Sequence, residues 1–412
     1  MQRHLAAATI LATLAFGPVH ADEFGKPELA YSWTRLDWAF RTPADANAYT
    51  ADGVYKKACL TGVKTDRQGT VYVSVPRWLD PRVPSTLNKL VQKDGRTVLE
   101  PFPSWQANDL ADAAALRSVL GFEIDSRNRM WILDMGYTAS DKNAPAGGQK
   151  LVVIDLDTGK ELRRFALDGV ADAKGSFLND LAIDEVNEVA YLTDSGVRGA
   201  PDNPTGIIVY DYRANTGRRV LDRDVSTRND VGRPLVVQGT AVFPGNPLQV
   251  GINGIAISPD TQTLYWNVTT GDGVYAAPTA VLRDPHATAA DISAAVRGPM
   301  RHGGGSDGMS IDDRGRLYVT NLTLGRLELM DPAMGTTSTI AEGPGWNWLD
   351  TVGWDRQGRI LVSTNHLNQV FGGTANFDDP ADPVFRIWRI QTDAHKGYAA
   401  APRRADAAPL SR

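Results

Sequence analysis

One phrase recurs six times along the chain, and it limits the fold more than any other feature. In general form it is a polar residue, Gly, an apolar-x-apolar alternation, Asp, two residues, Gly or Asn, then an apolar run closing on Ser, Thr, Asp or Asn. The first three copies read TGVKTDRQGTVYVSV from Thr61, LGFEIDSRNRMWILD from Leu120 and NDLAIDEVNEVAYLTD from Asn179. The last three read NGIAISPDTQTLYWN from Asn253, DGMSIDDRGRLYVTN from Asp307 and DTVGWDRQGRILVSTN from Asp350. The copies follow one another at roughly forty to seventy-five residues. Alternation of period two marks strands, and the Asp-x-x-Gly core marks the turn between them. Further short strands lie between the copies, such as LVVIDLDTGKELRRF (151–165) and GIIVYDYRANTGRRV (206–220), and no long helical pattern competes. A lone unit of about four strands cannot cover both its faces, but stacked between two like units it can. The sequence therefore predicts an all-β, six-bladed β-propeller with about four strands per blade.

In such a ring the innermost strands line the axis, and their first residues lie at one mouth. Those leading positions are Thr61, Leu120, Asn179, Asn253, Asp307 and Asp350. Four consecutive blades thus offer side-chain oxygens, two amides and two carboxylates. A donor set of oxygen alone suits a hard divalent cation, Ca²⁺ first and Mg²⁺ or Mn²⁺ after it. An open position on such an ion polarises a carbonyl and favours a nucleophilic water, while a neighbouring carboxylate takes the proton. Set against this, Asn and Asp before Gly are common turn formers that only tie neighbouring strands.

Several other features bound the reading. The 412 residues carry a formal net charge of -5, which lacks the basic footprint of a nucleic-acid binder. Residues 1–21, MQRHLAAATILATLAFGPVHA, have the charged start, short apolar run and Val19-His20-Ala21 ending of a secretory signal peptide. The apolar run is too short to span a bilayer, so a secreted or periplasmic soluble protein starting at Asp22 is expected. Residues 22–394 form the propeller, and the segment from His395 to the end reads as a disordered tail. Cys59 is the lone cysteine and reads as a buried strand thiol. Gly304-x-Ser306-x-Gly308 superficially resembles a hydrolase elbow, but a strand and not a helix follows it. Asp155-x-Asp157-x-Gly159 reads as a hairpin turn and not a calcium loop. His302 and His366 lie near the mouth in sequence and are candidate proton carriers. The segments 229–247 and 141–150 read as long loops suited to pocket walls.

PRWLDPRVPSTL (76–87), PFPSW (101–105), LRSVLGFEIDSRNRMWILDMG (116–136) and WNWLDTVGWDRQGRILVSTN (346–365) together resemble the major royal jelly protein and yellow family. The resemblance runs in order over nearly the whole chain and implies a secreted six-bladed propeller. It implies no single function: some yellow proteins convert dopachrome, some salivary members bind biogenic amines, and royal jelly proteins are nutrient or structural. The Asn253-Gly254 and Asp307-Gly308 pairs are similar to those of the gluconolactonase and senescence-marker propellers, where such pairs help bind a divalent cation used in sugar-lactone hydrolysis. Asn179-Asp180 resembles that group's substrate-side Asn-Asp. The group's first-blade glutamate is absent, because Thr61 stands at its register, and Asp350 would supply the lost charge.

Three functions follow as expectations. The first is hydrolysis of a small lactone or related ester. In it Asn253, Asp307, Asp350 and Asn179 hold a divalent cation, Asn179, Asp180 and His366 face the substrate, and Asp307 or His302 handles the proton. The second is a yellow-type action on, or binding of, aromatic amines and indole or catechol compounds, with Trp346, Trp348 and Phe102 as pocket aromatics. The third is a non-enzymatic interaction platform.

Overall fold

Each copy of the phrase forms the two inner strands of one four-stranded antiparallel sheet. Six such sheets surround a common axis in the computed structural model, which describes residues 24–397. The inner strands are Val63–Thr65, Val119–Ile124, Leu178–Asp184, Ile252–Ile257, Met309–Ile311 and Trp348–Trp354. In five blades the four strands follow one another along the chain. The sixth is woven from both ends: its three C-terminal strands are completed by Glu28–Trp33, which pairs antiparallel with Phe385–Ile390. The fold expected from the repeat is the fold observed.

The core lies between blades, where the faces of adjoining sheets meet. Trp131, Trp266, Tyr191, Tyr210 and Phe385 are each essentially inaccessible to solvent. Full burial of one such ring contributes about 2–3 kcal/mol. Cys59 is buried as expected, and burial pushes its thiol up to about 12, which leaves it protonated and unreactive.

The Asp-x-x-Gly turns are closed by their aspartates. Asp312 Oδ1 accepts the main-chain N–H groups of Arg314 (3.0 Å) and Arg316 (2.9 Å), and Asp66, Asp125 and Asp355 are used alike. Asp155 does the same in its hairpin, bonding the amides of Asp157 and Thr158. The candidate signal peptide lies outside the described residues. The segment expected as a tail starts inside them: Lys396 Nζ donates to Glu123 Oε1 and to the Ile124 carbonyl, both at 2.6 Å, at the turn end of the channel. No described helix is long and apolar enough to cross a membrane.

Candidate functional site

The mouth residues sit on a repeated irregularity. The register of inner strand against second strand slips between Val119 and Phe122, Leu178 and Leu181, Ile252 and Ile255, and Leu349 and Val352. Each slip is a bulge that holds the first two residues of the phrase and turns them toward the axis. The Thr61-Gly62 and Asp307-Gly308 pairs lie just ahead of their strands, at the same place.

A polar side chain of the second strand bonds the second amide of the bulge: Ser74 for Gly62 (2.8 Å), Thr193 for Asp180 (2.9 Å), Asn267 for Gly254 (3.0 Å) and Ser363 for Thr351 (3.0 Å). The same four side chains donate onward to the leading carbonyl of the next blade: Leu120 (2.7 Å), Asn253 (2.8 Å), Asp307 (2.9 Å) and Thr61 (2.5 Å). This is why the phrase closes on Ser, Thr or Asn.

The glycine of the phrase answers to the same crowding. A Cβ on Gly121, Gly254 or Gly308 would overlap the carbonyl oxygen of Asn179, Asp307 or Asp350 in the adjoining blade.

The bulges bring the predicted ring together. Asn253 Nδ2 donates to Asp307 Oδ1 (2.5 Å) and Thr269 Oγ1 (2.7 Å), and Trp348 Nε1 donates to Asp307 Oδ2 (2.6 Å). Asp350 Oδ2 accepts from Asn365 Nδ2 (3.0 Å), and Asn179 Nδ2 donates to Ser195 Oγ (3.2 Å). All four mouth residues are buried. They form the floor of one cavity of about 340 Å³ and the roof of a smaller chamber of about 20 Å³, room for about one water or ion. Asp180 and Lys64 line the lower chamber and not the upper cavity. Lys64 Nζ pairs with Glu123 Oε2 at 3.0 Å.

Burial raises all three carboxyls at this end. Asp307 is pushed up to about 7, against the pull of its bonds from Trp348 and Asn253, with the Asp180 charge adding to the rise. Asp350 lies well above the ordinary carboxylate range, first from burial and then from the Asp307 charge. Asp180 rises to about 6 by burial, offset in part by Lys64. Two buried carboxyls that repel one another do not both ionise readily, so near neutral pH the pair retains a proton.

The walls are aromatic. Trp78 stacks on Phe177 with centroids 5.7 Å apart and packs against Phe371 at 5.8 Å, and Tyr137 lies 6.3 Å from Phe177. The expected loop wall, 229–247, contributes Val242 and Phe243, and the short helix Leu367–Gly372 contributes Leu367, Asn368 and Phe371. Trp348 is a wall residue as expected. Trp346 instead packs on Trp388 (5.5 Å) and Phe102 on Tyr72 (4.9 Å), both away from the cavity.

The two histidines are also elsewhere. The His302 side chain is wholly buried beside Glu328, with Nδ1 at 3.4 Å from Oε2, and it borders neither cavity. His366 lies behind the Leu367–Gly372 helix, with Nε2 3.3 Å from Arg386 Nη1. Sequence reasoning missed Trp78, Tyr137, Phe177, Arg198 and Phe371. Phe177 had a usable signal, two residues ahead of Asn179 and so on the same face of an extended strand.

Among the described residues no three His, Cys, Asp or Glu side chains converge closely enough to hold a metal by themselves. A cation here would depend on the amides of Asn179 and Asn253 beside Asp307 and Asp350. That set is chemically suited to a hard ion, and the chamber beneath it is of the right size.

A profile of the family described as major royal jelly protein matches residues 117–398. Protein yellow of Drosophila melanogaster is 27% identical over 286 residues, which cover 66% of this chain and 52% of that protein. Major royal jelly protein 5 of Apis mellifera is 26% identical over 255 residues, covering 60% and 40% respectively. The chain spans about half the length of the curated relatives it matches. Among solved structures, the X-ray structure of a protein assigned as a gluconolactonase superposes with a TM-score of 0.51 at 12% identity, over 90% of this chain and 93% of that one. At that identity the likeness speaks for the fold alone.

Proposed function

The chain belongs to the major royal jelly protein family, and we propose that its channel mouth takes a small aromatic or indole-like compound and moves a proton on it with the Asp307–Asp350 pair. The observation that carries this is an aromatic-walled cavity of about 340 Å³ ending on two carboxyls that share a buried floor. A cavity of that size suits a ligand of one or two rings. Ring faces would pack against Trp78, Phe177 and Phe371, and an N–H, O–H or ammonium group would point to the floor. A carboxyl that keeps its proton beside one that has lost it gives an acid and a base within one site. A ligand with a labile ring proton would be tautomerised there, and one without would only be bound. Residues 1–21 support placing this activity in the periplasm or outside the cell.

Trp348 bonds the floor, so occupancy should be read in tryptophan fluorescence. Titration with tryptamine or dopamine is expected to give saturable quenching. Asp307→Asn should weaken binding at least about tenfold through loss of a charge-assisted contact. An unchanged affinity in that variant would refute the assignment.

A second reading, cation-assisted hydrolysis of a small lactone or related ester, is favoured by the oxygen-lined lower chamber. Asn253, Asp307 and Asp350 would hold a divalent cation, Ca²⁺ first, with Asn179 orienting the substrate. A bound cation of this type supplies Lewis acidity toward a carbonyl. Asp307 would position the proton of the attacking water, a duty its place on the floor supports and the burial of His302 does not. Added Ca²⁺ raising lactone hydrolysis, with loss on chelation and in Asp307→Ala, would favour this reading; a metal-free protein with unaltered melting in Ca²⁺ would dismiss it.

A further inference from the structure

We infer that Arg198 reads an anionic group on the ligand, so that the mouth selects dipolar ring compounds, with a carboxylate at the rim and an amine or other donor at the floor. The inference rests on the aromatic-ligand reading above and deepens it. Arg198 lies on the short turn Val197–Gly199, just after the second strand of the third blade, and lines the cavity. Its guanidinium carbon is 3.7 Å from the centre of the Tyr137 ring. Among the described residues its terminal nitrogens donate to main-chain carbonyls alone: Ala173 (3.2 Å), Asp141 (3.2 Å) and Lys142 (3.0 Å).

Neighbouring arginines are matched by acids, Arg117 by Asp141 at 2.7 Å and Arg219 by Asp194 at 2.9 Å. Among the described residues Arg198 has no carboxylate within ion-pair distance. The other charged side chains bordering the cavity are Asp307 and Asp350, on the floor. The cavity thus carries a positive group from the Val197–Gly199 turn and acidic groups on its floor, among apolar side chains that screen little of the field.

A ring bearing only an amine would answer the floor and leave Arg198 unmatched. A ring whose own N–H meets the floor while a side-chain carboxylate meets Arg198, as the indole and carboxylate of tryptophan would, answers both. The guanidinium fork suits a carboxylate, and the carbonyls of residues 141, 142 and 173 already fix it, so little side-chain freedom is lost on binding. This also gives the 141–150 segment a use: it does not border the cavity but holds the residue that does.

Tryptophan and tryptamine share the indole ring and the amine and differ in the carboxylate, so their affinity ratio is the readout, taken by titration calorimetry at fixed pH and salt. The wild-type protein should prefer tryptophan by on the order of tenfold. Arg198→Gln should bring the ratio to about one, and Arg198→Lys, which keeps the charge and loses the fork, should fall between. A wild-type protein that binds both indoles equally would overturn the inference. So would a ratio that survives in Arg198→Gln or Arg198→Lys while both affinities drop together, since that is the mark of a residue that only props the wall. If the wild-type protein binds neither indole, the aromatic-ligand reading falls and takes this inference with it.

Discussion

The two ends of the inner strands carry the same acidic residue in opposite circumstances. At the turn end Asp312 has its oxygens filled by two main-chain amides, by Arg316 Nε (2.8 Å) and by the Tyr318 hydroxyl (3.1 Å). Asp125 is filled likewise, by two amides, Arg129 Nε (2.7 Å) and Trp131 Nε1 (2.9 Å). At the mouth end Asp307 has one indole and one amide, Asp350 has an amide and a weak hydroxyl contact at 3.3 Å, and each faces the charge of other acids. Among the described residues no cationic side chain bonds either of them. A carboxylate surrounded by donors from its own turn is a fastener. One left short of donors beside a like charge is held in reserve for a ligand, a proton or an ion.

The glycines give the comparison its harshest test. Gly308 at the mouth has the Asp350 carbonyl where a Cβ would go, whereas Gly315 at the turn end has open space and needs only its φ of +81°. Gly308→Ala should cost at least about 3 kcal/mol in urea denaturation, or prevent folding. Gly315→Ala should cost about 1 kcal/mol. Equal losses would break the distinction between crowding and conformation.

The acids come next. Asp312→Ala should lose about 3 kcal/mol of unfolding free energy by removing the acceptor of two turn amides, Arg316 Nε and the Tyr318 hydroxyl, with aromatic-amine affinity of the folded protein retained. Asp307→Asn should do the reverse: ligand binding falls, and stability at pH 8 rises by about 1 kcal/mol as a repelling charge is removed. The contrast fails if both variants lose stability and keep binding.

The pH dependence follows with a smaller effect. The folded chain holds the Asp180 proton up to about 6 and the Asp307 proton up to about 7, while an unfolded aspartate releases its proton near about 4. The native state therefore binds more protons across that interval, and unfolding free energy falls as pH rises through it. The stabilisation from these groups is complete below about 4 and gone above about 7. Melting temperature followed from pH 4 to 8 should show this fall, and Asp307→Asn should flatten it. The smallest effect belongs to the cation reading, under which Ca²⁺ would raise the melting temperature by a few degrees at pH 8, less at pH 5 where protons compete for the same oxygens, and not at all in Asp307→Asn.

The fold was legible because the repeat is written into backbone chemistry: the Asp that closes each turn, the Gly that makes room and the Ser, Thr or Asn that ties one blade to the next. The floor was legible for the same reason, since Asn179, Asn253, Asp307 and Asp350 all occupy the first slot of the phrase. The walls were not. Trp78, Tyr137 and Phe371 come from connecting segments outside the repeat, and nothing in a single sequence says which of several aromatics turns inward. Trp346 and Trp348 show the difficulty: two residues apart in the chain, one packs on Trp388 away from the cavity while the other bonds Asp307. His302 misled because nearness to Asp307 in sequence is not nearness across a bulge.

The strand Glu28–Trp33 has a consequence for how the molecule is made. Its partner Phe385–Ile390 is synthesised some 350 residues later, so the circle stays open until nearly the whole chain exists. Contacts that distant in sequence slow folding. Until they form, the sixth blade lacks its outer edge and its inner strand, which carries Trp348 and Asp350, stands in an incomplete sheet. The mouth is therefore completed last, and deleting Glu28–Trp33 should harm it before it harms any of the middle blades.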